Sequence, residues 1–181
     1  KSRLVPDPLV APAIARFLIM RSEQMPRAEA MRRAGLTDRN AATMIAALDA
    51  GALIVNDISG LTHDPEALGV AVSRHCPVVL MHTRGRPATM MQQATYHEVV
   101  DEVRDELRES LAFATGAGVS ASRILLDPGI GFAKEAAHSF EVVARLDEFA
   151  ELGRPLVVGP SRKSFLTKAI GASVPPAERD L

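Results

Sequence analysis

The sequence predicts an α/β protein built on a parallel sheet, and three observations predict it. From about residue 40 onward, short apolar runs alternate with longer amphipathic segments. The runs are Val-, Ile- and Leu-rich without polar alternation, as expected of strands covered on both faces. Polar residues gather directly after these runs, at the edge where the loops of parallel α/β folds converge. A (β/α) barrel and an open doubly wound sheet both satisfy this pattern. No Gly-x-Gly-x-x-Gly fingerprint follows a strand, which weakens a dinucleotide-binding reading.

The elements follow in order. Ala41 to Ala50 is Ala-rich and predicts a helix ended by Gly51. Leu53-Ile54-Val55 predicts a buried strand, and Glu66 to His75 the next helix. Pro77 to Met81 predicts a second strand, with proline at the first position, where a missing N–H is tolerated. From Tyr96 to Thr115, Val100, Val103, Leu107, Leu111 and Ala114 recur at helical spacing. Glu98, Asp101, Arg104, Asp105, Arg108 and Glu109 form the opposite, solvated face. Ile124-Leu125-Leu126 predicts a third strand running into Asp127-Pro128-Gly129. Ser139 to Leu152 predicts a helix with Phe140, Val143, Leu146 and Phe149 or Ala150 as its stripe. Leu156-Val157-Val158 predicts a fourth strand, and Ser161 to Ile170 a further helix. Before Asp38 no strand is legible. Two short helices are expected there, around 12–20 and 27–34.

Composition narrows the function classes. Of 181 residues, 21 are Lys or Arg and 22 Asp or Glu. So balanced a charge argues against coating a nucleic acid, which needs clustered positive charge. Trp is absent and Tyr96 is the only tyrosine, so aromatic platforms for bases are poorly supplied. The single Cys76 can form no internal disulfide, which favours a reducing, cytoplasmic setting. No run approaches a membrane span; Leu9 to Met20 is short and broken by Pro12 and Arg16. Lys1 and Arg3 before that run faintly resemble a signal peptide, but no cleavage pattern follows. A chain that does not begin with Met is expected to be a processed product or a fragment.

The strand-end residues are Asn56-Asp57, His82 with Arg84, Asp127, and Ser161 to Ser164. Each has a plain reading beside the functional one. Asn56 or Asp57 can cap the turn after the strand, and Asp127 can simply start one. His63 and His82 read as hydrogen-bonding residues rather than metal ligands, because no His or carboxylate pair shows metal-site spacing. Met90-Met91 reads as packing. Arg162 and Lys163 oppose the macrodipole at a helix start, a placement that suggests an anionic ligand.

These segments together resemble the dihydropteroate synthase family. The matching stretches are Asn56-Asp57-Ile58-Ser59-Gly60, Val78 to His82 with Arg84-Gly85 and Pro87 to Met90, Ile124 to Phe132, and Gly159 with Ser161 to Phe165. The resemblance runs from about Asp38 to the C-terminus. It implies a TIM barrel, here an incomplete one with about four recognisable βα units in a single domain spanning 1–181. Residues 1–37 stand apart as an atypical, helical segment. The implied reaction joins 6-hydroxymethyl-7,8-dihydropterin pyrophosphate to p-aminobenzoate, releasing pyrophosphate with Mg²⁺ assistance. A cytoplasmic homodimer and sensitivity to sulfonamides are implied too.

Residue by residue, Asn56 and Asp127 resemble the groups that hydrogen-bond the pterin ring. Lys163 resembles the lysine that contacts the pterin, and Ser164 the serine near the p-aminobenzoate carboxylate. Met81, Phe132 and Gly159 resemble pocket walls, and Arg162 a cationic support. No protein ligand for the metal is identifiable. The family's third strand ends in Asp-Thr-Arg where Thr37-Asp38-Arg39 stands here. Ala133-Lys134-Glu135 stands where the family has Gly-Lys-Thr. The first two strands and the last one have no counterpart in the sequence, so these residues alone are expected to keep some pterin affinity and little synthase activity. The alternative is a catalytically impaired pterin-binding or scaffold protein. A pterin-dependent methyltransferase shares the barrel, but Ser161 to Ser164 argues against it.

Overall fold

The computed structural model describes residues 40–49, 51–160 and 163–166. The helices expected around 12–20 and 27–34, the segment 1–37, Asp38 and Arg162 lie outside them. Helix α1 is Asn40–Asp49, strand β1 Val55–Asp57 and helix α2 Pro65–Arg74. Strand β2 is Val78–Met81, helix α3 Val99–Gly116, strand β3 Ile124–Asp127 and helix α4 Ala136–Ala144.

The strands pair in parallel in the order β1-β2-β3. Register sets Asn56 beside Val79, Val79 beside Leu125, and Met81 beside Asp127. Register partners share a face, and so do alternate residues of a strand. One face therefore carries Asn56, Val79, Met81, Leu125 and Asp127. The other carries Val55, Val78, Leu80, Ile124 and Leu126, all buried in one core with Ala67 and Ala71 of α2 and Val100, Val103 and Leu107 of α3. The strands thus have a packing face and a face left for chemistry.

Three sequence expectations need correction. The first strand begins later than expected, because pairing starts where Val55 N–H meets the Pro77 carbonyl at 2.9 Å; Leu53 is exposed. The fourth strand reduces to one parallel bridge, Leu126 to Leu156. Pro155 on this segment and Pro128 after β3 have no N–H with which to extend the ladder in either direction. The helix expected over 139–152 breaks at Arg145, whose φ of −117° and ψ of 32° leave the helical region, and continues as a 3₁₀ segment, Leu146–Leu152. It also starts earlier and turns a different face inward. Ser139 and Val142 are buried, whereas Phe140 and Val143 are exposed. Ser139 is drawn in because its hydroxyl accepts the Gly131 N–H at 3.3 Å.

Asp64 ties the first two helices together. One carboxylate oxygen caps α2 by accepting Glu66 N–H at 2.9 Å. The other accepts Ala41 N–H of α1, also at 2.9 Å. Pro65 at the first helical position has no N–H to leave unsatisfied. Asp64→Ala removes both bonds at once, and an N-cap alone is worth about 0.5–2 kcal/mol. Urea denaturation is expected to show a loss at or above the upper end of that range.

Candidate functional site

The end of β3 is shaped by a close backbone crossing. His82 N–H donates to the Asp127 carbonyl at 2.8 Å. Two residues later the chain turns at Gly129, with φ of 67°, against the His82 carbonyl. A Cβ at Gly129 would stand 1.9 Å from that oxygen, so no residue with a side chain passes there. The turn brings Gly129 N–H back to the Asp127 carboxylate at 2.7 Å. Asp127 is thereby fixed on the open face of the sheet, in register with Met81.

Lys163 reaches this turn from the chain beyond the Leu156 bridge. Its ammonium donates to the Ile130 carbonyl and stands 4.6 Å from the centre of the Phe132 ring. Phe165, 4% exposed, packs edge-on against Phe140 at 4.9 Å and anchors the segment that carries Lys163. Burial raises the Asp127 carboxyl above its ordinary range, while the Gly129 N–H and the charges of Lys163 and Lys134 pull it down. Burial lowers Lys163, and Asp127 opposes that. The site thus holds a desolvated carboxylate facing a desolvated ammonium, able to recognise a flat ligand edge by charge-assisted bonds.

The residues expected from sequence divide as follows. Met81, Asp127, Phe132 and Lys163 come together around the turn. Asn56 lies on the same open face, two strands away from Asp127, and is exposed. Gly159 and Ser164 are exposed and flank Lys163 in the chain, Ser164 opening a helical turn over 164–166. Asp57 is absorbed in its turn, accepting Leu61 N–H at 2.9 Å and the Ser59 hydroxyl.

His82 and Arg84, read from the sequence as part of the ligand edge, turn away from it towards α3. His82 is 4% exposed and its Nε2 meets Glu106 at 2.9 Å. Arg84 Nε donates to the other Glu106 oxygen at 2.9 Å, and Arg84 Nη2 to Glu102 at 2.8 Å. Burial lowers His82 to about 4, only partly opposed by Glu106. Burial alone would raise Glu106, but the bonds from His82 and Arg84 hold it at about 2. The guanidinium of Arg84 lies 4.1 Å over the Tyr96 ring, and the Tyr96 hydroxyl donates to the Ala133 carbonyl at 2.8 Å. Burial pushes that phenol up to about 12.

Sequence reading missed Lys134, Glu106 and Tyr96. The signal for Glu106 was its place three residues after Val103 and one before Leu107, at the edge of the buried stripe of α3. Among the described residues no three His, Cys, Asp or Glu side chains gather as a metal site. A cleft of about 330 Å³ opens at the other end of the strands, beside His75, Cys76, Gly118 and Arg123. It is not the candidate site, because the Arg123 guanidinium is already bonded to the His75 carbonyl and no carboxylate faces it.

The sequence matches the family described as pterin binding enzyme over residues 38–181. This chain belongs to the pterin-binding enzyme family. A dihydropteroate synthase from Synechocystis sp. is 47% identical over 124 residues, 68% of this chain and 43% of that protein. The structure of Thermus thermophilus dihydropteroate synthase in complex with 6HMPPP superposes with a TM-score of 0.71 at 37% identity, covering 78% of this chain and 55% of that one. Xanthomonas albilineans dihydropteroate synthase with 4-aminobenzoic acid gives 0.71 at 36% identity, covering 78% and 49%. The chain thus spans about half the length of the relatives it matches. The pterin-binding fold is the TIM barrel, and the described strands are one arc of it.

Buried neutral His82 makes the stability of this family member pH-dependent. His82 titrates at about 4 when folded and near 6.5 when unfolded. Between those values the unfolded chain binds more protons, so stability falls as pH drops from 6.5 to 4. Glu106, held at about 2, extends the loss below that window. Melting temperatures from about pH 4 to 7 should show the slope, and His82→Asn should flatten it.

Proposed function

We propose that this chain carries the pterin site of a dihydropteroate synthase, joining 6-hydroxymethyl-7,8-dihydropterin pyrophosphate to p-aminobenzoate. One observation carries the reading: Asp127 and Lys163 meet the same turn, Asp127 through the Gly129 N–H and Lys163 through the Ile130 carbonyl, beside the strand face shared with Met81 and Asn56. The complexes of the Thermus and Xanthomonas relatives support it.

A pterin edge offers adjacent donors and acceptors. Asp127 accepts from its ring N–H groups, the Asn56 amide reads a neighbouring pair, and Lys163 donates to a ring acceptor. Met81 and Phe132 wall the ring. The C–O bond to pyrophosphate breaks and its electron pair leaves with pyrophosphate. Positive charge then grows on the pterin methylene, and the fixed Asp127 carboxylate on the ring stabilises it. The aromatic amine supplies the lone pair of the new C–N bond and releases its proton to water. No protein nucleophile is needed. Ser164 and Arg162 serve the p-aminobenzoate and anionic end. Mg²⁺ would neutralise the leaving pyrophosphate and be held chiefly by its oxygens. A reducing cytoplasm suits the free, buried Cys76.

Calorimetric titration with the dihydropterin pyrophosphate, beside a pyrophosphate-release assay with p-aminobenzoate, tests the reading. Asp127→Asn is expected to lose about 1.5–3 kcal/mol of pterin affinity, the worth of a charge-assisted bond. Ser164→Ala should lose much less. Equal losses would overturn the division of roles, and no pterin binding by the unsubstituted chain would overturn the proposal.

A further inference from the structure

Lys134 is buried to 3% exposure, yet nothing in the proposed reaction uses it. A lysine at such depth is costly unless its three N–H groups all find acceptors. Here they do. Nζ lies 2.7 Å from His82 Nδ1, 3.3 Å from the Gly129 carbonyl and 3.2 Å from the Phe132 carbonyl. Two of the three acceptors belong to the turn that follows Asp127. The third is aimed by a chain of bonds, since His82 Nε2–H donates to Glu106, which Arg84 holds. With Nε2 as donor, Nδ1 is left as an acceptor for the ammonium.

We propose that Lys134 is the positioning residue of the pterin site: its ammonium cross-links the Gly129 and Phe132 carbonyls and so holds the seat on which Lys163 rests. The inference deepens the pterin-binding reading and rests on it. Lys163 has two contacts on this turn, the Ile130 carbonyl and the Phe132 ring, and both lie within the stretch of chain that Lys134 joins. The turn also needs holding. Ala133, fully buried, adopts φ of 46°, a left-handed conformation that is unfavourable for a residue with a side chain. Lys134 directly after it and the Tyr96 hydroxyl on its carbonyl oppose relaxation.

The same geometry makes the link sensitive to pH. Asp127 from β3 and Glu106 from α3 favour the charge on Lys134, while Arg84 and Lys163 oppose it. His82 faces it from the end of β2, the Tyr96 ring lies 6.0 Å away, and His138 of α4 stands edge-on to Tyr96. Burial is the largest influence and brings Lys134 to about 7. A neutral amine has two N–H groups for three acceptors, so one bond of the link is lost above that pH.

Lys134→Met in the full chain tests the proposal. Three readouts are taken: melting temperature, hydrogen exchange of the peptide spanning 128–133, and calorimetric affinity for the dihydropterin pyrophosphate between about pH 6 and 9. The variant should melt lower, because the Gly129 and Phe132 carbonyls and His82 Nδ1 are left buried without their shared donor. It should exchange faster in that peptide and bind the pterin about tenfold more weakly near pH 6, as for one lost charge-assisted bond. Its affinity should be flatter across pH, whereas that of the unsubstituted chain weakens above about pH 7. Should Lys134→Met fail to fold, Glu106→Gln loosens the same chain from its partly exposed end and should weaken pterin binding roughly two- to threefold. Unchanged exchange, with affinities and pH profiles that superimpose on those of the unsubstituted chain, would overturn the proposal. If the unsubstituted chain binds no pterin, the synthase reading fails, while the exchange comparison still decides whether Lys134 holds the turn.

Discussion

The crossing of Gly129 over the His82 carbonyl is the contact on which the site depends. A backbone that passes so close to another carbonyl admits only glycine, and it fixes the end of β3 to the end of β2. Three consequences follow from that one approach. Asp127 is held by the Gly129 N–H on the open face of the sheet. The next residues turn back under Lys163. Lys134 is brought over the His82 ring nitrogen. The Asp127 carboxylate, the seat of Lys163 and the buried polar chain therefore share one geometric origin.

Electrostatics then decides how the open face differs from the packed one. The side against α2 and α3 is aliphatic and buried, with Val78, Leu80 and Leu126 fully covered. The loop side concentrates charge instead: Asp127 faces Lys163 and Lys134, and Glu106 faces His82 and Arg84. Lys134 has His82 Nδ1 and the Gly129 and Phe132 carbonyls within reach, and Arg84 has Glu102 and Glu106, which is the condition for keeping such groups away from water. A single unpaired member would be destabilising out of proportion to the bond it lost.

Much of this was legible in the sequence, for physical reasons that differ by element. The stripe of Val100, Val103 and Leu107 read correctly because a long helix repeats its period several times. Asn56-Asp57, His82 and Asp127 sit at the strand ends as expected, because the loops there are free of the packing that claims Val78, Leu80 and Leu126. The helix expected over 139–152 read in part: Phe149 is buried as expected, but Phe140 and Val143 are exposed. Its inward face is set by the Ser139 hydroxyl reaching Gly131, a tertiary bond that no apolar period records. The fourth strand was read too long because its apolar residues do not reveal that Pro155 beside it and Pro128 across from it remove the next donors of the ladder. Within the site, Asp127 and Lys163 were picked out by their strand-end positions and by resemblance. Lys134 and Glu106 were not, because a charged residue in a polar-looking loop or at the edge of a helix stripe looks solvated until the fold turns it inward. His82 and Arg84 were placed at the correct strand end but on the wrong side of it.

In the proposed pterin site, the turn after β3 presents Asp127 and Lys163 together to a ring on the open face of the sheet. A crystal structure of the chain soaked with 6-hydroxymethyl-7,8-dihydropterin pyrophosphate tests it most directly. The account predicts ring N–H groups within hydrogen-bond distance of the Asp127 carboxylate, Lys163 against the same ring, and the Lys134 ammonium still on the Gly129 and Phe132 carbonyls. A pterin bound instead in the cleft beside Cys76 and Arg123, or on the open face with Asp127 and Lys163 turned away from it, would contradict the account.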